Sequence, residues 1–140
     1  MANQIVYINR KKYATGLFWQ PIGAGFVARN YARNLAKSVD KKLNLFTEFR
    51  GMVGLGARRV GHRAGMPSVA AEVMESLAEY TSFLGVFATD KRYIVVAVRN
   101  GVILEDKVFD TEAEAREEYV KLSEIPDWGA LIAPGTWGMP

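Results

Sequence analysis

Apolar and polar positions along this chain switch between a period of two and a period near four, and the switches mark its elements. The firmest is Lys91–Phe109, where two β-rich runs meet at Asn100-Gly101. Asn and Gly tolerate the positive φ that both central positions of a type I′ hairpin turn require. The first run, Tyr93 to Val98, is almost wholly apolar and predicts a strand buried on both faces. The second turns polar at Glu105-Asp106-Lys107, as a sheet edge does. Gln4–Ile8 and Tyr13–Gln20 predict strands around a four-residue polar turn, Asn9-Arg10-Lys11-Lys12, with the second strand stopped at Pro21. Asn44–Phe49 predicts another strand, with Leu45, Thr47 and Phe49 on one side and Phe46 on the other. Phe83–Ala88, reached through the turn Thr89-Asp90-Lys91, makes the hairpin a three-stranded meander, and Asp127–Ala133 adds one strand before a loop-like end at Pro134–Pro140.

Three helices interrupt the strands. Over Phe26–Leu43 the residues Val27, Tyr31, Leu35, Val39 and Leu43 form an apolar ridge, widened by Ala28, Ala32 and Ala36. Arg29, Arg33, Lys37 and Lys41 recur at the same spacing two residues out of phase, about 200° of turn. That predicts a basic stripe opposite the ridge: either a solvated face or a docking face for anionic headgroups or an acidic protein. Val69–Ser82 predicts a second helix capped by Ser68, with Glu72 in its first turn and Val69, Val73, Leu77 and Tyr80 inward. Thr111-Glu112-Ala113-Glu114 has capping-box spacing and starts a third, with Ala115, Tyr119 and Leu122 inward and Glu117, Glu118 and Lys121 in water. The fold expected is a single α+β domain over residues 1–140, a mixed and mainly antiparallel sheet carrying three helices.

Composition adds bounds. The chain has 140 residues, 49% of them hydrophobic and 24% charged, as in an ordinary folded domain. It contains no cysteine, which excludes disulfides and thiolate metal sites. No window approaches the ~20 apolar residues of a membrane span, and the N-terminus lacks the form of a signal peptide, so a cytoplasmic location is expected. The net charge of +3 conceals an imbalance: residues 1–65 carry 12 Lys/Arg against 2 Asp/Glu, residues 66–140 carry 6 against 13. Either the two halves face and neutralise each other, or the first half meets an anionic partner.

Residues 50–65 hold five glycines and four arginines. A phosphate loop is the chemistry to test. Gly54-x-Gly56 has Arg59 where the dinucleotide fingerprint needs a third glycine, and Gly56-x-x-x-x-Gly61 runs into His62-Arg63 where a Walker loop needs Lys and a hydroxyl. A flexible basic loop carrying Arg58, Arg59 and Arg63, with a solvated His62, fits better. Glu105-Asp106 and Glu117-Glu118 are read as exposed charges, and the serines lie in no nucleophile-elbow context. Trp19, Tyr31, Trp128 and Trp137 read as core or rim aromatics rather than a base-stacking set, and the acidic second half argues against nucleic acid. No catalytic, cofactor or metal constellation is expected.

Ile5-Val6-Tyr7-Ile8 with Tyr13-Ala14-Thr15-Gly16-Leu17-Phe18-Trp19, the hairpin Val95–Ile103 and the acidic helix after it resemble the start of the pilin accessory protein PilO family of type IVb pilus systems. The resemblance implies a non-enzymatic component of the bacterial pilus assembly machinery, a cytoplasmic N-terminal domain at the inner membrane. Members of that family are longer and continue into a membrane segment, which implies that this chain is a truncated domain, cut in a linker after Pro134. It implies other pilus assembly proteins as partners, the assembly ATPase among the candidates; the basic first half adds an anionic membrane surface as a candidate, and a further copy of the chain is another. It also implies a loose relation to actin-like domains, whose alternative reading here is a nucleotide-binding module using residues 50–65. The residues expected to meet partners are Arg29, Arg33, Lys37, Lys41, Arg58, Arg59 and Arg63.

Overall fold

The structure, a computed structural model, describes residues 3–23, 25–89 and 91–137. The signal-peptide reading of the N-terminus, the Thr89–Lys91 turn and the loop-like end rest in part on Met1, Ala2, Asp90, Gly138, Met139 and Pro140, which lie outside the described residues.

The class is α+β, as expected, but the strands form three sheets. A hairpin pairs β1 (Ile5–Ile8) with β2 (Lys11–Ala14). An antiparallel sheet has the order β3 (Phe18–Pro21), β5 (Met52–Gly56), β4 (Leu45–Phe49). The largest has the order β8 (Val102–Phe109), β7 (Tyr93–Arg99), β6 (Phe83–Ala88), β9 (Ala130–Ile132), with β9 parallel to β6. Three helices, α1 (Ala28–Val39), α2 (Val69–Ser76) and α3 (Glu112–Ser123), cover them.

The central hairpin is as the pattern predicts, with Asn100 at φ 51° and Gly101 at φ 77°. On β7, Ile94, Val96 and Val98 enter the main core with Val6, Met52, Met74 and Phe83. Val95 and Ala97 face the other way, against Ala115, Tyr119 and Leu122 of α3. Ser68 caps α2 and Thr111 caps α3, each hydroxyl accepting the N–H three residues on, and the Glu114 carboxylate accepts a second bond from the Thr111 hydroxyl.

Several expectations are corrected. Asn9 and Arg10, both at positive φ, make a two-residue turn, so Lys11 and Lys12 belong to β2. The run Tyr13–Gln20 is two strands in different sheets, broken at Gly16 with φ 69°. α2 stops at Ser76 and leaves Tyr80 exposed. The end is packed as far as Trp137, which is buried and meets Tyr119 edge to face at 5.8 Å.

The largest correction concerns β8. A register shift at Ala97/Val98 pairs Ala97 with Glu105 but Val98 with Ile103. The bulge puts Ile103 and Asp106, three apart, on the same face. Asp106 is therefore buried rather than an exposed edge charge. Its Oδ1 accepts the Gly16 N–H at 2.9 Å; its Oδ2 accepts the Leu17 N–H at 3.3 Å and the Trp19 indole N–H at 2.9 Å. Glu105 and Lys107 turn to the α3 side, where Lys107 lies 2.7 Å from Glu118 and 3.2 Å from Glu105. Burial alone would lower Lys107 and raise Glu118, but their hydrogen bond prevails and holds Lys107 above and Glu118 below its ordinary value. Glu118, expected in water, is thus half-buried in an ion pair.

Replacing Asp106 by Ala strands the buried Trp19 indole N–H and two part-buried backbone N–H groups and should lower unfolding free energy by about 3 kcal/mol, measured by urea titration; a loss below about 1 kcal/mol would refute this account. Burial raises the Asp106 pKa, only partly offset by the bonds from Trp19, Gly16 and Leu17 and by His62. A carboxyl raised on folding contributes most below its unfolded pKa and loses that contribution as pH climbs through the folded one. The melting-temperature gap between the native chain and Asp106→Asn should therefore narrow as pH rises from the ordinary carboxylate range.

Candidate functional site

α1 lies on the outer face of the small sheet. Ala28, Ala32, Leu35 and Ala36 pack on Val53 and Leu55 of β5. The expected ridge is not the buried line: Val27 is 64% and Val39 48% exposed. Alanines let the helix backbone approach the sheet closely, which turns the contact line by about one residue, roughly 100°. The basic stripe consequently flanks the contact rather than opposing it.

Arg29, Arg33, Lys37 and Lys41 are all exposed and all line one groove of about 340 Å³ between α1 and β4. Its floor is Ala32, Ala36, Leu43, Phe46 and Leu55. Lys41 lies beyond the helix, after the cap residue Asp40, yet shares that groove. Among the described residues none of these four cations has an ion-pair partner. Like charges spaced four apart on a helix destabilise it by about 0.2–0.5 kcal/mol per pair, so the stripe does not serve stability. The two halves of the chain do not neutralise each other through the pairs seen: Arg59–Asp40 stays in the first half, and Arg92–Asp110, Lys107–Glu105, Lys107–Glu118 and Lys121–Glu118 stay in the second.

The Gly/Arg-rich segment is not a loose loop. Met52–Gly56 is the buried middle strand of its sheet, Arg58–Val60 a 3₁₀ turn. Arg58 and Arg59 project from that turn into solvent and Arg63 follows them, also exposed. The turn is tied to the α1–β4 connection, with the Arg58 N–H bonded to the Asn44 side chain at 3.0 Å and Arg59 3.6 Å from Asp40. The Arg63 guanidinium donates to the carbonyls of Arg58 and His62. Arg63 also lines a second cavity, of about 280 Å³, on the opposite side of β4. The seven predicted residues are thus gathered around β4, on its two sides and at its Asn44–Leu45 end.

Two of the glycines, Gly54 and Gly56, are required by close packing. A Cβ on Gly54 would sit 2.9 Å from the Trp19 ring, and one on Gly56 would sit 2.6 Å from His62 Nδ1. His62, expected in solvent, is buried. Its Nδ1 accepts the Ala57 N–H at 3.1 Å, so Nε2 carries the proton and donates to the carbonyls of Thr15 at 2.8 Å and Gln4 at 3.1 Å. Glycine composition gave no clue to this, because the partners Trp19 and Leu17 come from a distant stretch. Among the described residues no group of three or more His, Cys, Asp or Glu could hold a metal, and no helix is long and apolar enough to cross a membrane.

No family model matches the chain, and no curated protein matches it. Its fold is similar to that in the crystal structure of the cytoplasmic domain of BfpC, with a TM-score of 0.76 at 21% identity over 99% of this chain and 87% of that one.

Gly54→Ala and Gly56→Ala should each destabilise the domain by about 1–3 kcal/mol through overpacking. A shift in urea midpoint checks this. A normal midpoint would mean that these glycines serve something other than packing.

Proposed function

We propose that this domain is a non-enzymatic adaptor of the type IVb pilus assembly machinery, binding other assembly proteins at the cytoplasmic face of the bacterial inner membrane. The observation that carries the reading is the row Arg29, Arg33, Lys37 and Lys41, without an ion-pair partner among the described residues and lining one groove with an apolar floor. Cations beside an apolar cleft suit an acidic protein surface: the cleft supplies contact area, the charges supply steering and register. The sequence resemblance supplies the pilus context, and the fold shared with a cytoplasmic domain agrees with the compartment. Arg58 and Arg59 continue the basic surface past the Leu45 end of β4, Arg63 carries it to the other side of that strand, and the assembly ATPase is one candidate partner.

The triple variant Arg29→Glu, Arg33→Glu, Lys37→Glu should keep its melting temperature and lose at least about tenfold in affinity for the pilus assembly proteins, a loss of about 1.4 kcal/mol. Pull-down from cells carrying the pilus operon, followed by titration of the captured partner, measures this. Unchanged capture by the folded variant would remove the reading. The nucleotide alternative predicts heat on titration with ATP and Mg²⁺; the adaptor reading expects a flat titration.

A further inference from the structure

We infer that the partner supplies an extended acidic segment that pairs with the open edge of β4. The inference rests on the docking reading above and gives the form and chemistry of what docks.

β4 ends its sheet, with β5 on one side only. Beyond that ladder, the backbone of Leu45–Phe49 makes no hydrogen bond among the described residues. An edge strand leaves alternate N–H and C=O groups pointing outward, and proteins ordinarily blunt such edges with Lys, Pro or a bulge. Leu45-Phe46-Thr47-Glu48-Phe49 has no lysine and no proline, and its register with β5 is unbroken.

A strand added to this edge sends alternate side chains to the two faces of the sheet. A cavity waits on each. Leu45 and Phe46 line both, the α1 groove on one side and the Leu17–Met66–Pro67 cavity on the other. Every charged residue lining either cavity is a cation: Arg29, Arg33, Lys37 and Lys41 in the first, Arg63 in the second. That charge selects acidic side chains in the incoming strand. The exposed Glu48 lies on the α1 side, since its partner Val53 faces α1, and so places the acidic positions toward the Leu45 end. Pairing of β4 with β4 of a second copy would bring two cationic faces together, which disfavours self-association at this edge.

Four capped peptides of about six residues, a common strand length, test the idea on the whole domain. One alternates Glu and Val. Two are the same sequence N-methylated on alternate backbone nitrogens, one in each phase. One alternates Lys and Val. The Glu–Val peptide should bind and slow amide exchange within residues 45–49. N-methylation should weaken it at least about tenfold in one phase and leave it unchanged in the other, because only one set of N–H groups faces β4. The Arg33→Glu, Lys37→Glu variant should prefer the Lys–Val peptide. Equal binding of all N-methylated forms would overturn strand addition while leaving charge-dependent docking intact. Indifference of both peptides to the two substitutions would overturn the docking reading as well. Binding to phosphatidylglycerol vesicles without peptide binding, or β4 protection that grows with protein concentration alone, would overturn the inference in favour of a lipid surface or a second copy.

Discussion

Asp106 holds a carboxylate out of water, and the Gly16, Leu17 and Trp19 N–H groups converge on it. A buried charge is costly to desolvate and costlier still to leave without its partners. The stretch between β2 and β3 is thereby fixed to β8, and with it the relation between the two larger sheets. Everything outward follows by register: Trp19 opposite Gly54, Thr47 opposite Gly54 on the other side, and finally the free edge of β4. The proposed docking surface is positioned by a group on the far side of the sheet from the α1 groove.

His62 makes a second attachment just upstream. Its ring joins the Ala57 N–H to the carbonyls of Thr15 and Gln4, so the chain is pinned at Thr15 by an imidazole and at Gly16–Trp19 by a carboxylate. Both groups are fully engaged, a condition under which a buried polar network specifies one arrangement instead of weakening it. The arginines on either side of His62 can then be exposed and still held: Arg63 is braced on two carbonyls, and Arg58 by its N–H on Asn44. A basic surface on a rigid support loses less entropy on docking than one on a loose loop.

Elements whose signal is local were legible in the sequence. The Asn-Gly turn, the caps at Ser68 and Thr111, and the doubly buried β7 depend on neighbours a few residues away. What escaped depends on long-range partners. Asp106 looked like an edge charge because strict alternation groups it with Leu104, and only the bulge turns it toward Trp19. Gly54 and Gly56 looked like freedom of movement because two of the side chains that need their missing Cβ atoms, Trp19 and Leu17, lie far off in the chain. α1 was placed correctly but rotated wrongly, since large apolar residues outweigh alanine in any pattern while alanine permits the closest approach. The basic residues themselves were legible one by one; their convergence on β4 was not.

The charge layout then has a physical reading. An ordinary solvated helix mixes signs, because i,i+4 pairs of opposite charge stabilise it and like pairs do not. α1 has Arg29, Arg33 and Lys37 in series, no acidic residue in its first turn and no side-chain cap at Val27. By contrast α3 has both a cap and two acidic residues in its first turn. The same chain therefore builds one helix by the rules of stability and another against them. α1 stays in place because its alanines pack on Val53 and Leu55, which frees its outer charges from any part in holding it there. Charges released from a structural role, all of one sign and set beside a strand with one open edge, form the field on which the proposed acidic partner would draw.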